Sequence, residues 1–388
     1  MRSTRLVLAV AVAVLLGSLA PSLAAAQHVE LAGRVTASRT VLSQRRVGEA
    51  RYVAISDLFY SGRSAFVEVL DLQTRAVIQV AAKRSLLERR YGIPRGGSVA
   101  VPQGEVAVYR GGVVGIALVE AAVNTSRRHW YVELDSTGKL VRSAGLATLR
   151  DGEQLEIIGA DPAGSAVWFA ITRRAARGRT LVLRRLDLDT LEAQDEQQIT
   201  LAARADHGRE HAVRVRAAAD FSRFAIVEYG EDGVGLAPGH IYIADPATDA
   251  VFAVAAPPAA YGVAFSADGR YIYVGSAQRG TISRIDVAAR KIDKQVAGPR
   301  FLHHLVISPS GTRLFALASS ASYAVYDLPD LRARSDTQHP PGVAHAMAEL
   351  HGNGIASADG AFFIAPDAED PRRPPVDERS YVIARLVD

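Results

Sequence analysis

The amino-acid sequence predicts an all-β fold, a seven-bladed β-propeller with four-stranded antiparallel blades, and three observations support this. A motif of short apolar strands and tight turns repeats along the chain. The chain ends one strand short of a complete seventh repeat, and a strand that fits this gap lies near the amino terminus. Gly or Pro interrupts the repeats about every ten residues, which excludes long helices.

The first 26 residues have the pattern of a secretory signal peptide. Arg2 and Arg5 precede an apolar run from Leu6 to Leu16, and small residues end at Ala26. This run is shorter than the roughly 20 residues that cross a bilayer. We expect cleavage after Ala26, a single propeller domain over residues 27–388, no membrane-spanning segment, and a periplasmic or secreted location. An uncleaved membrane anchor is the alternative.

Composition excludes several classes of site. The chain has no cysteine, so it has no disulfide, thiolate metal site or cysteine nucleophile. Its stability must come from its core, which roughly 360 mature residues can supply. The formal net charge is +4 at pH 7. Charges of both signs are interspersed, so we do not expect a nucleic-acid partner.

The clearest repeat units lie at residues 261–296 and 303–331. Both contain alternating runs rich in Val, Ile, Tyr and Phe on either side of a tight turn, Asp-Gly at 268–269 and Ser-Gly at 310–311. This pattern is typical of antiparallel strands joined by hairpins. Four strands per unit is the simplest count that fits.

An Asp that ends the third strand marks each unit, because its carboxylate can accept backbone N–H groups two residues on. Six complete units are marked by Asp71, Asp135, Asp187, Asp245, Asp286 and Asp327. A seventh begins at residue 354 and ends with the chain, before its fourth strand. We expect Leu31–Ala37 to supply that strand by pairing with Tyr381–Val387. Such pairing closes the ring and removes open sheet edges.

Two segments, 265–274 and 280–286, match the repeat of the bacterial YVTN-type seven-bladed propellers nearly position for position. The chain resembles this family, which is itself similar to lactonase-like and quinoprotein-like propellers. The resemblance is closest over residues 257–331 and weaker over residues 38–256. It implies the architecture and no particular activity, because propellers host many unrelated functions.

In a propeller, the connection into the innermost strand and the turn between the second and third strands lie at one end of the ring. The sequence predicts long loops there, over residues 83–97, 173–179, 201–211, 230–239 and 366–375. Such loops often bind partners. This end also receives many basic residues: Lys83, Arg84, Arg89, Arg90, Arg95, Arg127, Arg128, Arg173, Arg174, Arg177, Arg179, Arg204 and Arg209. They predict an anionic partner; simple solvation of exposed loops is the alternative.

Alignment of the repeats on their turn glycines predicts a ring of residues at the mouth of the central channel. These candidate ligand-binding positions are Ser38 or Arg39, Arg95, Glu156, His211, Tyr261, His303 with His304, and His351. His211, His303 and His351, together with Glu156, are candidate ligands of a divalent metal. His303, His304 and His211 are also candidate catalytic bases. Polar residues that hydrate the channel entrance are the alternative interpretation.

We therefore expect an exported, non-catalytic and monomeric propeller that binds a ligand or protein at its loop-rich, relatively basic end. The expected partner is an exported protein, a glycan or an anionic small molecule. The alternative is a lactonase- or lyase-like enzyme with a histidine or a divalent metal at the channel mouth. The sequence names no cofactor, and it contains no nucleophile elbow, P-loop or dinucleotide-binding motif.

Overall fold

The strands of the protein form seven antiparallel blades in a ring, which confirms the predicted all-β propeller. A computed structural model describes residues 29–37, 46–92, 101–120, 126–175, 178–201, 211–230, 239–257, 259–318, 323–334, 355–357, 359–366 and 379–387. Within these ranges there are 29 strands and one α-helix of eight residues. No helix in this part of the chain is long and apolar enough to cross a bilayer.

The strands are given blade by blade, from the channel outwards. The amino-terminal strand β1 (Val29–Ala37) belongs to the last blade. Blade 1 contains β2 (Arg46–Val47), then β3 (Tyr52–Ala54) with β4 (Phe59–Ser61), β5 (Ser64–Asp71) and β6 (Ala76–Lys83). Blade 2 contains β7 (Gln103–Arg110), β8 (Val113–Val119), β9 (Ser126–Leu134) and β10 (Leu140–Arg150). Blade 3 contains β11 (Gln154–Ala160), β12 (Ala166–Ala175), β13 (Gly178–Asp187) and β14 (Ala193–Leu201).

The carboxyl-terminal half continues the same pattern. Blade 4 contains β15 (His211–Ala217), β16 (Phe224–Gly230), β17 (His240–Asp245) and β18 (Ala250–Ala255). Blade 5 contains β19 (Ala260–Phe265), β20 (Tyr271–Ser276), β21 (Thr281–Asp286) and β22 (Lys291–Ala297). Blade 6 contains β23 (Leu302–Ile307), β24 (Arg313–Ala318), β25 (Tyr323–Asp327) and β26 (Arg332–Ala333). Blade 7 contains β27 (Ile355–Ala356), β28 (Phe362–Pro366), β29 (Arg379–Leu386) and β1.

The predicted closure of the ring is confirmed by the pairing of β1 with β29. These strands are antiparallel, and their register runs from Val29 opposite Leu386 to Ala37 opposite Arg379. The outer strand of blade 7 therefore comes from the amino-terminal end of the described chain. Strand β2 of blade 1 also makes a short parallel pair with β11 of blade 3, so two inner strands that are not consecutive touch.

The hydrophobic core is divided among the interfaces between blades. Seven clusters of buried residues occur in the described chain, and each joins two neighbouring blades. The cluster between blades 7 and 1 contains Tyr381 and Ile383 from one side and Ile55 and Leu70 from the other. Because burial of apolar surface is the main favourable term in folding, this interface makes the closed ring continuous.

The connections lie at two ends of the ring. The turn end contains the turns from inner to second strands, such as residues 266–270, and from third to outer strands, such as residues 287–290. The loop end contains the turns from second to third strands, such as residues 277–280, and the connections between blades, such as residues 298–301.

The predicted role of the third-strand Asp holds in most blades. The carboxylates of Asp71, Asp135, Asp187 and Asp286 accept backbone N–H groups of the following turn at 2.9 Å. Asp327 instead accepts the guanidinium groups of Arg332 and Arg334 at the turn end of blade 6.

Two of the segments that were predicted as long loops contain regular secondary structure. Residues 84–91 form helix α1 (Arg84–Tyr91), which buries Leu87 and Tyr91 against blades 1 and 2. The segment 173–179 extends the hairpin of β12 and β13, because the two strands stay paired from Arg173 opposite Thr180 to Ala175 opposite Gly178. The segments 202–210, 231–238 and 367–378 lie outside the described residues.

Candidate functional site

The inner strands place several of the predicted channel residues at the same level along the channel axis. In blades 3, 5 and 6 the N–H of the first turn residue donates to a second-strand carbonyl: Asp161 to Ala166, Ser266 to Tyr271 and Ser308 to Arg313. Glu156, Tyr261 and His303 each lie five residues before that turn residue. In blade 4 the equivalent residue is Val213, and His211 lies two residues nearer the loop end.

Glu156 is engaged by the neighbouring blade. Its Oε2 accepts the backbone N–H of Val215 at 2.9 Å, and its Oε1 lies 3.5 Å from Nη1 of Arg216. Arg216 also donates to the carbonyl oxygen of Val215 at 3.0 Å. The carboxylate therefore joins the inner strands of blades 3 and 4, and a backbone bond fixes its orientation.

Tyr261 and His304 also contact neighbouring blades. The guanidinium carbon of Arg214 lies 4.9 Å from the centroid of the Tyr261 ring, a cation–π geometry that links blades 4 and 5. The imidazole of His304 lies edge to face with Phe363 of blade 7, with 5.8 Å between ring centroids. Both side chains are half-buried. Each therefore has a packing role at the channel wall.

The metal and base hypotheses rest on residues that the structure describes only in part. The backbones of His211 and His303 lie at the starts of β15 and β23, and their side chains are outside the described atoms. Arg95, His351, Ser38 and Arg39 lie outside the described residues. Within the described part, no three His, Asp or Glu side chains lie close enough together to hold a metal ion. The histidine site therefore stays a prediction.

A cavity of about 410 Å³ lies along the inner strands of blades 3 to 7. Tyr261 and His304 line it, together with Arg216, Phe221 and Phe265, which the sequence analysis missed. The signal for Phe265 was the alternation that places residues 261, 263 and 265 on one side of β19. The turn residues Ala219, Ala267 and Pro309 also line the cavity and are exposed. The cavity therefore opens at the turn end, and its volume is in the range of small-molecule pockets.

The turn end carries a network of arginines that bind carboxylates and carbonyls. Arg142 donates two hydrogen bonds to Glu133 at 2.8 Å and also reaches the carbonyl oxygens of Leu188 and Asp189 in blade 3. Similar bonds from one blade to another run from Arg110 to Gly164, Arg223 to Gly269, Arg284 to Pro329 and Arg313 to Val387.

In blade 1, the guanidinium of Arg51 lies against Asp71, with 2.9 Å between Nε and Oδ1, and holds the pKa of that carboxyl well below its usual range. The same kind of hydrogen bond, from Arg332 and Arg334, lowers the pKa of Asp327 in blade 6. The charges of these turn-end arginines are thus matched by carboxylates or backbone dipoles. Arg75, Arg270, Arg290 and Lys291 at the same end are exposed and form no ion pair with a described carboxylate.

The loop end contains the predicted basic residues that the structure describes. Arg84 is paired with Glu88 at 2.6 Å, and Arg128 lies 3.6 Å from Glu120. Arg95, Arg177, Arg204 and Arg209 lie outside the described residues. The exposed cations at this end that form no ion pair with a described carboxylate include Arg63, Lys83, Arg127, Arg173, Arg279 and Arg300. Three of these, Arg63, Arg279 and Arg300, were not among the predicted basic residues.

Comparison with known proteins adds support for the fold. No protein-family description and no curated protein matches the chain. By shape it is similar to 965 solved chains, a breadth that identifies no single function. A chain of the crystal structure of a mitotic checkpoint complex has a TM-score of 0.52, 13% identity and 92% coverage of each chain. Apo AztD from Citrobacter koseri has a TM-score of 0.40 and 12% identity over 73% of this chain and 71% of that one. The first similarity supports the propeller fold alone.

Proposed function

We propose that this chain is an exported, non-catalytic binding protein of the YVTN-propeller type, and that its loop end binds an anionic partner. A propeller is compatible with protein or ligand binding, and long connections on a rigid ring provide surfaces for it. The observation that carries the proposal is the set of exposed cations around the loop end that have no described carboxylate partner.

The unpaired cations extend around much of the loop end. Arg63 and Lys83 are adjacent in blade 1, where the N–H of Arg84 donates to the carbonyl oxygen of Arg63 at 2.9 Å. Arg127 is the second residue of the third strand of blade 2, and Arg173 lies two residues before the end of the second strand of blade 3. The two nearby acids Glu88 and Glu120 already have arginine partners. Clustered positive charge raises the local concentration of anions and speeds their association.

The described channel residues support a binding role over catalysis. Glu156 is held by Val215 and Arg216, and His304 packs on Phe363. A catalytic acid or base needs a positioned partner and an accessible reacting atom. These two side chains instead contact residues of neighbouring blades, so their role is to stabilise the ring.

Export is supported by the pattern of the first 26 residues. The test is amino-terminal sequencing of the chain recovered from the periplasm or the medium of an expressing bacterium. We expect it to start at Gln27. Recovery only from the cytoplasm, or with Met1 retained, would contradict export.

Binding is tested with fluorescently labelled poly-L-glutamate, with poly-L-lysine of equal length as the control. We expect the mature chain to bind polyglutamate at low salt and to lose at least about tenfold in affinity when salt rises from about 0.05 M to 0.3 M, because exposed ion pairs are screened. Polylysine should not bind. A chain that fails to bind polyglutamate at low salt, or binds it with no salt dependence, does not have the proposed function.

A further inference from the structure

Phe301 at the loop end combines two unfavourable features. Its side chain is 59% exposed, the largest exposure among the large hydrophobic residues of the described chain. Its backbone adopts a φ of 58°, in the left-handed region. A bulky residue there is a conformational outlier, and such outliers cluster at functional sites. The exposed ring does not contribute to the core.

The position of Phe301 is rigidly determined. Its N–H donates to the carbonyl oxygen of Ala277 at 3.1 Å. In the same connection, the N–H of Gly298 donates to the carbonyl oxygen of Gly280 at 2.8 Å. These bonds attach the connection between blades 5 and 6 to the turn at residues 277–280. The next residue, Leu302, is fully buried and fills the space beside Gly275. Phe301 therefore has no place in the core and points to solvent.

The preceding blade shows that the left-handed conformation belongs to the repeat. Ala259 occupies the same place before the inner strand of blade 5, with a φ of 50°. Its carbonyl oxygen accepts the N–H of Ala277 at 3.1 Å. The backbone of this connection thus needs a positive φ, which Gly adopts at the lowest cost. Phe301 has both the strain of the left-handed backbone and an apolar side chain that is exposed to water.

Two arginines flank the ring. Arg300 precedes it, and Arg279 lies in the turn to which Phe301 is hydrogen-bonded. Both are exposed, and neither makes a side-chain hydrogen bond or ion pair with another described residue. The Cγ atom of Arg300 lies only 3.4 Å from the Cβ position that a side chain at Gly280 would take. The two arginines and the ring therefore form one small surface.

We propose that Phe301, Arg279 and Arg300 form a docking site for an acidic segment of a partner protein. An apolar side chain of that segment packs on the Phe301 ring, and its carboxylates pair with the two guanidinium groups. Aromatic and Arg residues dominate the binding energy of protein interfaces, and the arginine fork matches a carboxylate with two parallel bonds. This inference rests on the proposed function, and it specifies the partner as an acidic polypeptide.

The test uses two labelled glutamate peptides of equal length, one with a central leucine and one with a central alanine. We expect the leucine peptide to bind the wild-type chain about fivefold more tightly, the effect of burying part of one apolar side chain. Phe301→Gly should remove this preference. It should also raise the thermal midpoint by about 1–2 °C, because Gly adopts the left-handed backbone without strain. The double variant Arg279→Gln with Arg300→Gln should weaken both peptides.

The matched control is Ala259→Gly, which makes the same backbone change in blade 5. We expect it to raise the thermal midpoint similarly and to leave the leucine preference intact. Equal binding of the two peptides to the wild-type chain, with sensitivity to the arginine changes, would overturn the docking site and leave the proposed function standing. Failure of both peptides to bind would contradict the proposed function itself. A fall in the midpoint of Phe301→Gly would show that the ring serves folding. Loss of heparin binding in Phe301→Gly, without loss of peptide binding, would assign the surface to a glycan.

Discussion

Two phenylalanines with the same unusual backbone conformation lie at opposite ends of the propeller. Phe221 at the turn end and Phe301 at the loop end both have a φ of 58°. Phe221 is 5% exposed and packs against Trp168 and Phe224, whereas Phe301 is 59% exposed. The turn position of Phe221 is occupied in other blades by Gly164, Gly269, Gly311 and Gly360. Packing of the side chain offsets the strain of the left-handed backbone at Phe221. No packing within the described chain offsets the same strain at Phe301.

The charged residues differ between the two ends in the same way. At the turn end, Arg142 binds the buried carboxylate of Glu133 and two carbonyl oxygens of the next blade. At the loop end, Arg127 and Arg173 extend to solvent without a described carboxylate. The comparison indicates that the turn end stabilises the ring, while the loop end holds unused contacts for a partner.

Glu133→Ala should destabilise the chain by about 3 kcal/mol, because it removes a buried carboxylate and leaves the partly exposed Arg142 without its partner. Arg127→Ala at the loop end should change stability by less than about 0.5 kcal/mol, as expected for an exposed charge. Urea denaturation measures both. Equal effects of the two substitutions would remove the distinction between the ends.

Stability should depend on pH through His129, which lies under the loop end of blade 2. Burial and the nearby positive charge of Arg127 lower the pKa of His129 from 6.5 to about 4. Between these two pH values the unfolded chain binds a proton that the folded chain does not, so the free energy of unfolding decreases as pH falls from 6.5 to 4. The loss should be on the order of 2–3 kcal/mol.

His129→Gln should flatten this slope, and the comparison is made by urea denaturation at several pH values. The turn-end carboxylates of Asp71 and Asp327 have lowered pKa values. Their contribution is present above the unfolded pKa near 3.8 and is lost only as the pH falls below it. A slope unchanged in His129→Gln would mean that other groups control the pH dependence.

Phe221→Gly should destabilise the chain by about 2 kcal/mol. Removal of a buried phenylalanine side chain costs about 3–5 kcal/mol, and relief of the left-handed backbone returns about 1–2 kcal/mol. Thermal or urea denaturation gives the net value. A gain in stability would show that packing on Trp168 does not offset the strain.

Phe301→Gly should have the opposite sign and a smaller size, a gain of about 1 kcal/mol. The same substitution at the two ends thus distinguishes the packed side chain of Phe221 from the exposed side chain of Phe301. Destabilisation in both variants would contradict the comparison.

Repeating turn chemistry made the fold predictable. The Asp-Gly and Ser-Gly turns at residues 268–269 and 310–311 fix the strand register, so the height of Tyr261 and the pairing of Leu31–Ala37 with β29 followed from counting. Helix α1 was missed, although Leu87 and Tyr91 lie four residues apart, the spacing of one helical face.

The site was less predictable, because pairing in space is not visible in sequence. Nothing in the order of residues shows that Glu156 contacts Arg216, or that Arg142 is paired and Arg127 is not. Phe301 followed by Leu302 looks like a continuous apolar pair, and only the structure shows one exposed and the other buried. The signal peptide, the partner and the histidine site remain predictions.

Two variants that lose the same charge at opposite ends of the ring test the binding surface at the loop end. The loop-end variant carries glutamine at Arg127, Arg173, Arg279 and Arg300, and the turn-end variant carries glutamine at Arg75, Arg270, Arg290 and Lys291, all of which are exposed. Affinity for polyglutamate at low salt is measured for both. We predict that the loop-end variant loses at least about tenfold and the turn-end variant less than about twofold, because binding depends on local charge. Equal losses in the two variants would show that only net charge matters and would contradict a binding surface at the loop end.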